Sequence, residues 1–236
     1  MRLWLRSLAL NMALYGWTAF LCFALLATLF FPRRCMIAVV HLWLRHIEWI
    51  ERHIGGIHYR VTGREYVPEG ACIIASKHQS AWETFKLHLL FGDPAIVLKA
   101  ELLNIPIWGW YVRRAGMIPI DRSGGALALA RMMAAAHKAA DAGRRIVIFP
   151  QGTRTAPGEQ RSYKSGVAAL YQELNLPVVP MALNSGLLWG KNSFIKKPGL
   201  ITIEFLPPIP PGLPRDEMMT RLKTGLEAAA ERLLNA

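Results

Sequence analysis

The stretch Ala71-Cys-Ile-Ile-Ala-Ser-Lys-His-Gln-Ser-Ala-Trp-Glu83 decides the fold, because it leads from an apolar run into a helix start through a short polar turn. The run Ala71–Ala75 has the length and the apolar character of a buried strand. Ser80 and Glu83 form the S-x-x-E capping box that opens helices, so we predict a helix over Ser80–Leu90 with Ser80 as its N-cap. A strand followed at once by a helix is the repeating unit of a layered α/β fold.

The same alternation of short apolar runs and helix-like segments continues along the chain after Gly56. We predict strands at Ile57–Val61, Ala71–Ala75, Ala95–Leu98, Met117–Ile120, Arg145–Phe149, Val178–Leu183 and Leu200–Phe205. We predict helices at Ser80–Leu90, Ala126–Ala142, Ser165–Glu173 and Arg215–Leu234. This pattern predicts one α/β domain over residues 56–236, in which a sheet is layered with helices.

Residues 1–55 have a different character and predict a membrane anchor. Leu8–Phe31 is an almost unbroken apolar run in which only Asn11 is strongly polar. As a helix this run would reach about 36 Å, against roughly 30 Å for the hydrocarbon core of a bilayer. A signal peptide is the alternative, but the run is too long for one and lacks a small-x-small cleavage site.

A second apolar segment, at about residues 36–53, predicts an amphipathic helix that lies at the membrane interface. Its hydrophobicity is broken by charged side chains, namely Arg45, Glu48, Glu51 and Arg52. Arginines flank the first helix on both sides, so the charge bias that sets membrane orientation is modest. Two arrangements therefore stay open: a spanning helix, or a helical hairpin that re-enters with both ends on the cytoplasmic face.

The composition narrows the class of partner. Lysine and arginine number 28 against 16 aspartate and glutamate residues, a net charge of +12 that indicates an acidic partner. With 53% hydrophobic residues, anionic membrane lipid is favoured, and no spacing typical of nucleic-acid binding is present. Cys22, Cys35 and Cys72 are odd in number and widely spaced, which is typical of reduced thiols and not of a disulfide framework or a metal site.

His78 and Glu83 are the candidate catalytic pair. Five residues correspond to about 140° around a helix, so the two side chains meet only if His78 ends the loop and Glu83 lies in the first helical turn. A carboxylate there can hydrogen-bond the imidazole, set its tautomer and aim it at a hydroxyl. The alternative reading of Glu83 is a capping residue, and the two roles are compatible.

Two segments at predicted strand ends have the character of a phosphate site. Gly116–Arg122 brings Arg122 beside the start of the next helix, where a guanidinium and free amides suit an anion. Phe149–Arg154 offers Gly152 for close backbone approach, with Thr153 and Arg154 as donors. Residues in supporting positions are Gln151, Lys77 and Lys99. Taken singly, each segment also fits a plain surface turn.

Four motifs together carry a family resemblance: HQSAWE at His78–Glu83, IPIDR at Ile118–Arg122, FPQGTR at Phe149–Arg154 and VVPMALN at Val178–Asn184. In this order they resemble the glycerolipid (lysophospholipid) acyltransferase family. That family has His-x4-Asp, an apolar strand ending near Arg, Phe-Pro-Glu-Gly-Thr-Arg, and an apolar run with a central Pro. The resemblance covers roughly residues 63–184. Glu83 and Gln151 depart from the family's Asp and Glu, which bears more on acceptor preference than on acyl transfer.

The resemblance implies a fold and an activity. The fold would be a mixed sheet flanked by helices, of the glycerolipid acyltransferase type, behind an N-terminal membrane-anchoring helix or hairpin. The activity would be direct transfer, without cofactor or metal, from acyl-CoA or acyl carrier protein to the 2-hydroxyl of 1-acylglycerol 3-phosphate (lysophosphatidate). His78 and Glu83 would be catalytic, and the acceptor phosphate would lie at Gly152, Thr153, Arg154 and Arg122. The site would face the cytoplasm at the inner, cytoplasmic membrane.

Two other classes of function stay open at this point. The acceptor could be another lysolipid or glycerol 3-phosphate, because the same catalytic pair would serve any alcohol. The chain could instead be a non-catalytic membrane lipid-binding homologue whose Glu83 and Gln151 mark a decayed site. A decayed site is disfavoured because His78, Gly152 and Arg154 are the same residues as in the family's motifs.

Overall fold

A computed structural model of the protein describes residues 1–121 and 124–235, and within them the chain forms one sheet with helices on both faces. The strands are β1 Ile57–Thr62, β2 Ile73–Ser76, β3 Ala95–Lys99, β4 Ile118–Ile120, β5 Ile146–Ile148, β6 Val178–Leu183 and β7 Gly199–Phe205. The helices are α1 Arg2–Ala24, α2 Arg33–Ile50, α3 Trp82–Phe91, α4 Trp108–Arg114, α5 Gly125–Asp141, α6 Gly166–Leu174 and α7 Arg215–Leu234. Each predicted strand and helix of the α/β domain is present at its predicted place.

The strand order is β1-β7-β6-β2-β5-β3-β4. The strands from β6 to β4 run parallel to one another, whereas β7 pairs antiparallel with β6 and parallel with β1. The sheet is therefore mixed and flanked by helices, which confirms the predicted fold class. Because the strands from β6 to β4 are parallel, their carboxyl ends meet at one edge of the sheet.

The core forms two layers, one on each face of the sheet. On one face α5, α6 and α7 cover side chains such as Ile73 and Ile146, and on the other α1, α2 and α3 cover Ile74 and Val147. Successive side chains of β2 and β5 thus point to opposite, equally buried faces. Burial on both faces explains why these central strands read as continuous apolar runs and not as alternating ones.

The N-terminal helices differ in their bounds from the expectation. The first begins at Arg2 and ends at Ala24, followed by a short 3-10 segment at Leu26–Phe30, where an apolar helix over about residues 8–31 was expected. The second spans Arg33–Ile50, against about 36–53, and a π-helical turn follows it. Pro32 separates the two, because a proline disfavours helical backbone in the preceding residue and cannot donate into the previous turn.

The helices α1 and α2 form a hairpin that is docked along its length. At one end the Lys196 N–H donates to Ser7 Oγ at 3.0 Å, and at the other the Arg33 guanidinium pairs with Asp93 at 2.6 Å. The inner face contributes to the core, while the outer face leaves large apolar side chains exposed, such as Phe23. Among the described helices, α1 alone is long and apolar enough to cross a membrane, with 17% of its apolar window buried.

One helix, α4, was not predicted. It has seven residues and contains Gly109, so its sequence shows too few turns for a helical period. Gly109 lies so close to the preceding segment that an added Cβ would stand 2.1 Å from the Leu103 carbonyl oxygen. Only a residue without a side chain allows this helix to pack there, which is a tertiary requirement that the local pattern does not display.

Candidate active site

The candidate site lies at the edge where the parallel strands end. The segment after β2 carries His78, the segment after β5 carries Phe149–Thr153, and the turn after β6 carries Ser185. In open α/β sheets, ligands bind in the crevice outside the carboxyl ends of the strands. The fold therefore gathers at one edge the residues that the sequence analysis singled out.

Glu83 holds the imidazole of His78 from the first turn of α3. His78 Nδ1 lies 2.8 Å from Glu83 Oε1, and the same oxygen accepts the backbone N–H groups of Gln79 at 2.7 Å and Ser80 at 2.8 Å. Ser80 Oγ in turn accepts the Trp82 N–H at 3.1 Å. The helix starts at Trp82 with Ala81 as N-cap, and the Glu83 carboxylate caps the preceding N–H groups as in a capping box, while Ser80 Oγ accepts from Trp82 in place of Glu83. Glu83 therefore has two roles at once: it caps the helix and it orients His78.

The second carboxylate oxygen of Glu83 has its own partner. Ser185 Oγ donates to Glu83 Oε2 at 2.8 Å, and both side chains are fully buried. The groups around this carboxylate are all donors, which is the arrangement that an ionised carboxylate satisfies. With its Nδ1–H engaged by Glu83, His78 has Nε2 as its basic nitrogen.

The ring of His78 is held in place from its flat side and through its backbone. It stacks on Phe149 with a centroid separation of 4.0 Å and an interplanar angle of 22°. The Thr155 N–H donates to the His78 carbonyl at 2.8 Å, which ties the histidine loop to the segment after β5. Within the described residues, no hydrogen bond engages Nε2, and the residue lines a cavity.

The cavity has a volume of about 1100 Å³ and combines a polar end with a long apolar part. The apolar part runs between the hairpin and the sheet, and its walls include Leu21, Val40 and Trp43 from the hairpin and Tyr111 from α4. The polar end has His78 together with the segment after β5. A site of this shape accommodates a ligand with a polar head and a long apolar tail.

The structure brings together several of the predicted site residues. Gln151, Gly152, Thr153 and Lys99 line the cavity along with His78. Gly152 has a φ of +68°, the left-handed region that favours glycine, and Lys99 forms an exposed ion pair with Glu101 at 2.8 Å. Gln151 is 2% exposed, and its Nε2 is a buried donor without a partner among the described residues.

Other predicted residues are placed differently. Arg154 is not part of the described cavity lining, and its carbonyl accepts a hydrogen bond from Lys191 Nζ at 3.1 Å. Lys77 is buried and turned toward α7, where its ammonium lies 2.9 and 2.8 Å from the two carboxylate oxygens of Glu227. Arg122 lies outside the described residues.

The sequence analysis missed three residues of this site: Ser185, Arg161 and Lys164. The last two line the cavity on the segment before α6, which folds back so that the Lys164 N–H donates to the Pro150 carbonyl at 2.7 Å. Within the described residues Lys164 has no carboxylate partner. No motif marks these positions, because each reaches the site through a loop closure that no local spacing encodes.

Two titratable groups beside the site are affected by burial. His88 lies in the cavity wall, and burial lowers its pKa to about 4, so its ring is neutral near pH 7. Behind α3, Lys86 and Glu51 form a buried ion pair at 2.5 Å, and the Trp82 indole also donates to Glu51. Burial raises the pKa of Glu51, while the charge of Lys86 opposes that shift. This pair joins the end of the hairpin to the helix that carries Glu83.

A histidine oriented by a buried carboxylate, at the head of a long apolar cavity, is suited to remove a proton from a hydroxyl of a lipid-like substrate. A model of the acyltransferase family matches residues 58–184, and the chain belongs to that family. The match includes the histidine motif, the segment after β5 and the run of β6.

Individual proteins add to this family assignment. The chain is 41% identical over 165 residues to the 1-acyl-sn-glycerol-3-phosphate acyltransferase of Pseudomonas aeruginosa, covering 70% of this chain and 64% of that protein. It is 34% identical over 158 residues to the enzyme of the same name from Limnanthes douglasii, covering 66% of this chain and 56% of that protein. Both alignments span less than two thirds of the relative's own length.

The fold itself has a counterpart among solved structures. The 1-acyl-sn-glycerophosphate (LPA) acyltransferase PlsC from Thermotoga maritima superimposes with a TM-score of 0.78 over 99% of each chain, at 21% identity. At this level of identity the likeness establishes the fold, including the N-terminal hairpin, which lies within the superimposed length.

Proposed function

We propose that the protein is a membrane-bound acyltransferase. It moves an acyl chain from acyl-CoA or acyl carrier protein to the 2-hydroxyl of 1-acylglycerol 3-phosphate, and the product is phosphatidate for phospholipid synthesis. The observation that carries the proposal is His78, whose Nδ1 is held by Glu83 while Nε2 is left for a ligand at the head of an apolar cavity. The names of the relatives from Pseudomonas aeruginosa and Limnanthes douglasii support the choice of acceptor.

In the proposed mechanism, both substrates are bound before reaction and no cofactor takes part. The 2-hydroxyl gives its proton to Nε2 of neutral His78, and the resulting alkoxide attacks the carbonyl carbon of the thioester. As the tetrahedral intermediate collapses, the C–S bond breaks and the thiolate takes the proton from the imidazolium. The Glu83 carboxylate stabilises the imidazolium throughout. General-base catalysis of this kind contributes about 10²–10⁴-fold, so positioning of the two substrates supplies much of the remaining rate.

The acceptor phosphate would be bound at the polar end of the cavity. The groups proposed from the motifs are Arg122, Arg154, Thr153 and Gly152, with Gln151 and Lys99 in support. Of these, Gly152, Thr153, Gln151 and Lys99 line the cavity. The placement of Arg161 and Lys164 in the cavity lining adds two cations, of which Arg161 is paired with Glu159 at 2.6 Å and Lys164 is not paired with a carboxylate among the described residues. Guanidinium and ammonium groups both bind phosphate, the first with two parallel hydrogen bonds and the second as a point charge.

The membrane supplies the lysolipid, so the active site would open at a bilayer surface. The hairpin supports this location, since its outer face exposes Trp4, Phe20 and Phe23 while its inner face lines the cavity. Both ends of the hairpin contact the α/β domain, which favours a re-entrant anchor over a spanning one. We place the protein at the inner, cytoplasmic membrane, with its site on the cytoplasmic side and anionic lipid as a partner.

The test measures thiol release by the reconstituted protein from acyl-CoA or acyl carrier protein, with lysophosphatidate added or withheld. We expect release that requires lysophosphatidate and yields phosphatidate, and His78→Ala should abolish it while the protein stays folded and membrane-bound. Turnover of His78→Ala near that of the unmodified protein would contradict the mechanism. Release that requires a different lysolipid or glycerol 3-phosphate would keep the enzyme class and change the acceptor. If no donor and acceptor pair gives thiol release, a lipid-binding protein is the better explanation.

A further inference from the structure

A second, shallower depression lies apart from the active-site cavity, at the turn of the hairpin. Its volume is about 400 Å³, and it is lined by Leu29 of the turn and by Trp110, Arg113 and Arg114 of α4. None of these four residues lines the active-site cavity. The acyl-transfer chemistry described above does not use them, so the depression calls for a separate explanation.

The two guanidiniums of this depression have no carboxylate partner among the residues that the structure describes. Arg113 and Arg114 are exposed, and within the described part of the chain neither pairs with a carboxylate. The nearby arginines behave differently, because Arg33 and Arg144 both pair with Asp93. Arg114 does donate to the Phe31 carbonyl at 2.7 Å, which fixes its side chain beside the hairpin turn. Arg113 and Arg114 are adjacent and exposed, and one of them is fixed by this bond, so together they form a positive site with capacity for an anion.

The surroundings of the depression indicate where that anion comes from. Phe30 is 89% exposed and Phe31 is 55% exposed on the hairpin turn, and Trp110 is 51% exposed beside the arginines. Exposed Leu102 and Ile105, on the segment leading into α4, extend the apolar surface on the other side. Arginine and tryptophan bordering a band of exposed apolar side chains is the arrangement found at membrane–water interfaces.

We propose that Trp110, Arg113 and Arg114 form a binding site for the phosphate headgroup of an anionic phospholipid in the bilayer. The charge is complementary, and the site is continuous with the apolar outer face of the hairpin. The lipid phosphate is bound by the guanidiniums, the indole lies at headgroup level, and Leu29 contacts the start of the acyl chains. The inference rests on the proposed membrane location, but not on acyl transfer.

The site has a functional consequence because of where α4 lies. Tyr111 and Val112, on the same short helix, line the active-site cavity. A lipid bound at Arg113 and Arg114 therefore fixes the height of the cavity wall relative to the headgroup layer. This contact gives the domain a membrane attachment in addition to the hairpin.

The experiment measures partitioning of the full-length protein onto sedimentable vesicles. One set of vesicles contains phosphatidylcholine alone and the other contains phosphatidylcholine with phosphatidylglycerol. The variants are Arg113→Gln and Arg113→Lys, which keep the Arg114 contact with the hairpin. The matched control is Arg131→Gln, which removes one exposed charge from α5 on the other face of the sheet. Soluble inorganic phosphate at constant ionic strength serves as competitor, and acyl transfer in detergent micelles is followed in parallel.

We expect Arg113→Gln to weaken partitioning onto the phosphatidylglycerol vesicles by about fivefold or more, the effect of one basic residue at an anionic surface. Arg113→Lys should lose part of this affinity, since an ammonium cannot bind phosphate bidentately. Arg131→Gln should partition as the unmodified protein does. Binding to phosphatidylcholine alone and transfer in micelles should not change for any of them.

Three outcomes would overturn the inference. Equal losses for Arg113→Gln and Arg131→Gln would mean that only net charge matters. An equal loss on both kinds of vesicle would mean that Arg113 contacts a group shared by the two lipids, and that the site does not select an anionic phospholipid. Release of the protein by inorganic phosphate would mean a free-phosphate site. The unmodified protein could also be inactive in micelles and still show the expected pattern on vesicles. That result would contradict the acyltransferase proposal but support the headgroup site.

Discussion

Replacing Glu83 by glutamine tests how the site holds His78. Glu83 Oε1 accepts N–H groups from His78, Gln79 and Ser80, and Oε2 accepts the hydroxyl of Ser185. An amide oxygen can take the three N–H groups in the same place, and the amide NH₂ can donate to Ser185, because a hydroxyl also accepts. Glu83→Gln therefore removes the negative charge but should preserve the tautomer and the orientation of the imidazole.

The size of the effect follows from what is lost. A hydrogen bond to a charged group contributes about 1.5–3 kcal/mol, and each 1.36 kcal/mol in the barrier is tenfold in rate. We expect Glu83→Gln to lower kcat/KM roughly 10- to 150-fold. His78→Ala removes the base itself, so its activity should fall below that of Glu83→Gln.

The assay compares initial rates of lysophosphatidate-dependent thiol release for the unmodified protein, Glu83→Gln and His78→Ala. Denaturant unfolding of each protein serves as the control for folding. Equal inactivity of the two variants would refute the reasoning, because it would mean that the Gln79 and Ser80 amides do not hold the amide oxygen toward the ring. An unchanged rate in Glu83→Gln would refute it from the other side, since the carboxylate charge would then have no part in the reaction.

Three further predictions concern buried titratable groups around the site. Lys77→Met should lower the free energy of unfolding by about 3 kcal/mol, because it breaks the buried pair with Glu227. This value is at the low end for a buried pair, since Glu227 is 15% exposed. A raised acceptor KM with unchanged stability would instead indicate that Lys77 binds the acceptor phosphate. Lys86→Met should cost about 3–5 kcal/mol in denaturant unfolding, since it leaves the buried Glu51 carboxyl group without its cation, and adding Glu51→Met should recover most of the loss. A double variant as unstable as the single one would contradict this. The folded state depresses the pKa of His88 from 6.5 to about 4, so the unfolded chain takes up the proton first and stability should fall as the pH drops below 6.5. Between pH 7 and pH 5 the free energy of unfolding should fall by about 2 kcal/mol. His88→Gln should remove this pH dependence, even if the variant and the unmodified protein differ in stability at pH 7.

Several elements of the fold follow from local patterns in the sequence. The strand predicted at Ala71–Ala75 is observed at Ile73–Ser76, and the turn with His78 and Glu83 follows it as predicted, because apolar run length, helix capping and turn composition are local properties. The same holds for α7, whose observed bounds Arg215–Leu234 agree with the prediction. Local patterns do not predict α4, because this helix depends on the close approach of Gly109 to the Leu103 carbonyl and not on a periodic pattern.

The sequence by itself determined the α/β layering, the pairing of His78 with Glu83 and the apolar character of the N-terminal segment. Only the tertiary structure decided the rest of the site. Ser185 reaches Glu83 across 102 positions of chain and Lys77 reaches Glu227 across 150, and the cavity exists only because the hairpin packs along the sheet. The physical reason is the range of the interactions. Capping and periodicity act within a few residues, whereas such contacts form only after the chain has closed long loops, and nothing in the neighbouring residues specifies them.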